Sequence, residues 1–348
     1  MPKQYEFELG KAADILTRDM LRIMPGETVV ITADTESNES VVNTTAQSAY
    51  SLGAKPMVIW LATPDGVGKA ADPKLPVEAL GAVLTKADVW IEYNNKWLLY
   101  STPFEVAVEN NKKMRYINLV GMNPSMLVRT IGRVDIKLLS QLLQRIAEMN
   151  RKAKTIHVTT LSGTDIKFET DPDHVVSCDA GEAYEPGGIY MLPGQINVVP
   201  KFGSINGVIA FDGSLVPPCD LLDEPVKIEI ADGIIKDIKG GKQSVEFRKW
   251  LESFKDENMF KVAHMAYGLN PGARLTGDIV EDERVWGCTE WGIGYVSPID
   301  AAPGIDAKSH CDGICLNSTV WLDDEILLRN GEIVHPALKE ISDKLLSS

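Results

Sequence analysis

"ETVVITADTESNESVVNTTAQSAYSLGAKPMVIWL", residues 27–61, decides the fold. Its two ends, ETVVITAD (27–34) and KPMVIWL (55–61), are short apolar runs rich in β-branched and aromatic residues and read as strands. Between them SNESVVNTTAQSAYSLGA (37–54) reads as a helix, which Ser37 or Asn38 can cap at its start and Gly53 can end. DVWIEYN (88–94) and RYINLV (115–120) repeat the strand signal, with helical patterns between. Such alternation predicts an α/β, Rossmann-like domain: an open, mostly parallel sheet with helices on both faces.

A long helical pattern, IKLLSQLLQRIAEMNRKAK (136–154), closes that half, with Leu138, Leu139, Leu142, Leu143 and Ile146 on one face. From about residue 153 the pattern changes. KTIHVTT, DIKFET, NGVIAFDG and VKIEIADGIIKDI follow one another through Gly and Asp turns, which predicts an α+β domain on a largely antiparallel sheet. The expected division is 1–152 for the α/β domain and 153–348 for a metal-binding, catalytic domain.

The totals agree with a globular chain of about two domains: 348 residues, 44% hydrophobic and 24% charged. A formal net charge of −14 and the lack of a basic stripe exclude nucleic acid as the expected partner. The charged start MPKQYEFELG and the absence of a long apolar run predict a cytoplasmic protein with no membrane partner. The five cysteines include no CxxC pair and read as free thiols rather than a disulfide framework or zinc ribbon.

Two common chemistries find no support. TPDGVGKA (63–70) has Thr63 where a phosphate-cradling loop needs glycine and Ala70 where it needs Ser or Thr. No GxSxG elbow announces a nucleophilic serine, and Cys315 lacks the surroundings of a catalytic thiol. Metal binding is better served. In SHCDGICL (309–316) His310 and Asp312 stand two apart, so on a strand both leave one face while Cys311 leaves the other. Among the remaining histidines, His157 sits in an ordinary strand, His174 in a loop and His335 before Pro336. His264 differs: it lies in the apolar context of FKVAHMAYGLNPGARLTG (260–277), where a buried imidazole needs a partner. Two neutral nitrogens and one carboxylate can cap one face of an octahedral ion and leave three positions open. Spacing alone leaves a packed core histidine and a turn-capping aspartate as alternatives.

LPGQINVVPKFGSINGVIAFDGS (192–214), with SGTDIKF, GLNPGARLTG, GCTEWGIG and SHCDGI in the same order, resembles the aminopeptidase T family of metallopeptidases over the second half of the chain. In those peptidases the resemblance implies two metal ions held by a shared glutamate, a second glutamate before the Gly-Leu-Asn-Pro turn, a histidine, and a final His-x-Asp. Here those positions carry Gln195, His264 and Glu290 ahead of His310 and Asp312. Gln195 brings no charge for a second divalent ion. The ligand pattern is closer to the 2,5-dihydroxypyridine 5,6-dioxygenase branch, which implies one metal per chain on His264, His310 and Asp312, iron(II) first, with manganese, zinc or cobalt as alternatives. AYEPGG, with Glu185, is similar to that branch, whereas Tyr100 stands where it is expected to have histidine.

The resemblance thus implies a ring-opening dioxygenase of a hydroxylated N-heteroaromatic, with O2 as co-substrate. Glu290, Glu185 and Tyr100 are its candidates for substrate deprotonation or orientation, and Gln195 and Arg274 for substrate binding. A metal-dependent hydrolase, either an aminopeptidase or an aromatic aminohydrolase of the 5-nitroanthranilate type, is the second expectation. A scaffold with a degenerate site is the third. A homo-oligomer is expected by analogy with related families.

Overall fold

The computed structural model describes residues 5–347. They form two compact units: one comprises residues up to Ile136 together with Gly181–Pro193, the other Lys137–Ala180 together with residues from Gly194 onward. These units differ from a linear division at residue 152 in two places. From Lys137 onward the helix Ile136–Lys152 goes with the second unit, where Asn150 Oδ1 accepts from the buried Tyr267 hydroxyl at 2.8 Å. Residues 181–193 return to the first unit because Ile189–Tyr190 joins its sheet.

In the first unit five parallel strands run in the order Lys55–Leu61, Thr28–Asp34, Val89–Glu92, Arg115–Asn118, Ile189–Tyr190. Thr28–Asp34 is an interior strand, paired on both sides and buried from Val29 to Asp34, as a strand of a parallel sheet should be. Lys55–Leu61 is the edge, and Met57 and Trp60 remain 45% exposed there. Asn38 caps the intervening helix Glu39–Ser51: its side-chain oxygen accepts from Ser40 N (3.1 Å) and Val41 N (3.3 Å). Gly53 follows with φ +83°. Asn38→Ala is expected to cost about 1 kcal/mol in urea unfolding, with Asn38→Asp near neutral. Equal losses in both variants would show that something other than the cap is at stake.

The second unit carries an eight-stranded and a six-stranded sheet, both built from antiparallel pairs. In the first of these, Thr155–Thr159 and Asp165–Glu169 alternate buried and accessible residues, which gives that sheet one core face. The six-stranded sheet runs in the order Leu215–Val216, Ile305–Cys315, Cys288–Val296, Val262–Gly268, Gln195–Val198, Val176–Asp179. On one face Trp291 meets Phe168 of the other sheet edge-on at 5.9 Å, while its neighbours Glu290 and Gly292 point to the opposite face. All five cysteines are free, four of them buried. Among the described residues no helix is long and apolar enough to cross a membrane.

Candidate metal centre

The site is a set of cross-strand rows on that opposite face. Residues directly opposed in an antiparallel pair share a face, as do residues two apart on one strand. His264 opposes Gly292, and Gly292 opposes Asp312. His310 opposes Gly294 in the next row, and Glu290 lies between Ala266 and Ile314 in the row on the other side. Three neighbouring strands therefore deliver His264, Glu290, His310 and Asp312 to one space. Ligand atoms of His264, His310 and Asp312 all lie within 4.8 Å of one another. The strand reading of SHCDGICL holds: Ile305–Cys315 is continuous, and Cys311 is buried on the other side.

Gly292 makes this convergence feasible. A Cβ built there would lie 2.4 Å from His264 Cε1 and 2.6 and 2.8 Å from its two nitrogens. The imidazole thus leans over the glycine toward Asp312, with Nε2 3.6 Å from Asp312 Oδ1 and 3.1 Å from Glu290 Oε2. The two imidazoles are nearly parallel at 22°, with centroids 5.1 Å apart.

Protonation suits metal binding. Burial, reinforced by the charge of His310, pulls His264 down to about 4, so its imidazole is neutral near pH 7 and has a free lone pair. His310 donates from Nδ1 to the Tyr295 carbonyl at 2.8 Å, which orients the ring with Nε2 toward Asp312 Oδ1, also 2.8 Å away. Burial disfavours a charged His310, but Asp312 outweighs it and raises the group; burial likewise opposes the Asp312 charge, yet His310 holds that carboxyl down at about 2. A divalent ion would take the place of the proton shared on that contact. Burial, then Asp312 and Glu283, push the Glu290 carboxyl well above its usual range, and Glu290 Oε1 is buried without a hydrogen-bond partner. Two imidazoles, a low carboxylate and an unsatisfied oxygen beside them fit a divalent cation with positions left for a polar ligand.

Behind these groups lies a charged cluster that sequence reasoning missed. Arg284, fully buried, donates Nη1 to Glu283 Oε2 at 2.6 Å and to Val280 O at 2.8 Å, and its Nη2 stands 3.9 Å from Asp179 Oδ2. The Gln195 side chain hydrogen-bonds Glu283, whose carboxyl burial raises to about 7 against the pull of Arg284. Gln195 thus belongs to the polar surroundings of the site face. Arg274 is exposed, and its backbone N–H donates to Glu281 Oε1 at 2.8 Å. Tyr100 and Glu185 lie in the first unit. Tyr100 is 49% exposed with φ +65°, and Glu185 is exposed, its N–H donating to the Tyr190 hydroxyl at 3.0 Å. His157, His174 and His335 find other partners: Asp165, the Pro200 carbonyl and Glu325.

Residues 17–335 match the profile of a family described as NicX, 2,5-dihydroxypyridine 5,6-dioxygenase. A 2,5-dihydroxypyridine 5,6-dioxygenase of Pseudomonas putida KT2440 is 25% identical over 196 residues, 53% of this chain and 56% of that protein. The alignment therefore spans little more than half the length of that relative. Among solved structures, 2,5-dihydroxypyridine dioxygenase from Pseudomonas putida KT2440 superposes with TM-score 0.80 at 19% identity, covering 97% of this chain and 100% of the other. Wild-type AmpT from Thermus thermophilus superposes with TM-score 0.70 at 16% identity, covering 95% and 100%. These two structures share the fold.

Proposed function

The chain belongs to the 2,5-dihydroxypyridine 5,6-dioxygenase family, and from that premise we propose that it opens a hydroxylated N-heteroaromatic ring with O2, using one iron(II) held by His264, His310 and Asp312. The observation that carries this reading is the meeting of those three side chains within 4.8 Å over Gly292. Bound there, iron(II) supplies Lewis acidity toward a substrate oxygen and redox chemistry toward O2.

The chain's own residues do the rest. His264 presents a neutral nitrogen, and His310, aligned by the Tyr295 carbonyl, would release its Nε2 proton on binding the ion. Glu290 is placed to hold or receive the substrate's hydroxyl proton at Oε1, the oxygen that protein leaves unpaired, while its Oε2 stays on His264. Gln195 keeps Glu283 hydrogen-bonded without adding a charge, and the Arg284 guanidinium offsets the carboxylates behind the site. That balance supports one divalent ion rather than two.

Anaerobic titration with iron(II) is expected to saturate at one metal per chain, and adding 2,5-dihydroxypyridine in air should then consume O2. Two tightly held ions per chain, or release of ammonia or amino acids without O2 uptake, would point to the hydrolase alternative.

A further inference from the structure

One polar side chain on the site face has no role in the account above. Asn197, in the strand Gln195–Val198, opposes Ala266, and Ala266 opposes Glu290. Asn197 and Glu290 therefore stand on the same face with only a methyl side chain between them, in the row next to His264. Each carries a buried oxygen without a hydrogen-bond partner, Asn197 Oδ1 and Glu290 Oε1. A buried acceptor left unpaired is destabilising, so two of them flanking one small residue beside the candidate metal ligands call for a ligand that satisfies both. Between the two, Ala266 is fully buried and occupies little volume.

We propose that Asn197 is a specificity-determining residue that pairs, through its carboxamide, with the lactam edge of a hydroxypyridine. This rests on the functional reading above and extends it to the choice of ring. A 2-hydroxypyridine in its 2-oxo form presents an N–H donor beside a C=O acceptor. A carboxamide offers the complementary pair, an oxygen that accepts and an NH2 that donates. A benzenediol of the same shape has no ring nitrogen and leaves Asn197 Oδ1 unpaired. Sites built to hydrogen-bond a group reject the analogue that lacks it far more strongly than apolar pockets reject a change in size. Asn197 would thus select an N-heteroaromatic over a benzene ring, while His264, His310 and Asp312 are indifferent to that choice.

The test is anaerobic calorimetric titration of the iron(II)-loaded protein with 2,5-dihydroxypyridine and with benzene-1,4-diol. Wild-type protein should bind the pyridine more tightly, and Asn197→Leu should weaken the pyridine by about ten- to a hundredfold while leaving the diol and the iron content nearly unchanged. Asn197→Ala removes the acceptor and the donor together without adding a branched side chain, and should also lower the preference even if the leucine variant fails to fold. Pyridine affinity unchanged in both variants, or equal losses for the two rings, would overturn the assignment alone. Wild-type protein that binds neither ring would overturn the substrate reading and this assignment with it. Wild-type protein that binds the pyridine without taking up O2 would overturn only the oxygenase reading, and the comparison of rings would still decide Asn197.

Discussion

Asp312→Asn is expected to lower iron(II) affinity by about a hundredfold or more and to abolish O2 uptake with the substrate, with the far-ultraviolet circular dichroism and the unfolding temperature close to wild type. The substitution keeps the volume and one oxygen but removes the negative charge, and that charge partly neutralises a divalent ion. If Asp312 only capped a turn at Gly313, asparagine would serve equally well. The structure places it differently. Asp312 lies inside the strand Ile305–Cys315, opposed by Gly292 on one side and Val216 on the other, and its carboxylate oxygen is taken by His310 at 2.8 Å and approached by His264 at 3.6 Å. His310 holds the carboxyl charged against the opposing effect of burial. Metal analysis of anaerobically purified Asp312→Asn settles the matter: wild-type iron content together with wild-type turnover would remove the facial set and the main support for a mononuclear oxygenase.

What the sequence could disclose about this site depended on how local each signal was. His310 and Asp312 are two apart on one strand, so a period-2 reading suffices to put them on one face. The repeated strand and helix patterns of residues 27–120 likewise predict the parallel sheet, because each element carries its own periodicity and caps. Ile189–Tyr190 escaped because two residues hold no period, and their strand character comes only from the partner Arg115–Asn118. Arg284 escaped for a related reason. Nothing in "EDERVWG" distinguishes a solvated arginine from one that is fully buried against Glu283 and the Val280 carbonyl. His264 became a candidate ligand through its apolar context and through the family resemblance, since its spacing from His310 carries no period at all. The row His264, Gly292, Asp312 exists only once the register of three strands is known. Gly292 could have been suspected on sequence grounds, as a glycine inside the strand-like "CTEWGIGYV" marks a close approach by another group.

That glycine carries the second large effect. Gly292→Ala is expected to weaken iron(II) by about ten- to a hundredfold with little change in overall stability. Position 292 lies in regular strand without a positive φ, so alanine meets no backbone obstacle there. The conflict is with one side chain only. The new Cβ would sit 2.4–2.8 Å from three atoms of the His264 ring, closer than carbon approaches any such atom. The imidazole can swing aside, which spares the fold, but it then leaves the position from which Nε2 faces Asp312 and Glu290. The cost should therefore fall on the metal rather than on folding. A double-mutant cycle separates this from a general disturbance of the sheet. In the His264→Ala background the ring is gone, so adding Gly292→Ala should reduce the residual metal affinity no further. Losses that simply add, or a Gly292→Ala variant that binds iron as the wild type does, would show that the imidazole does not use the space above Gly292 and would take His264 out of the ligand set.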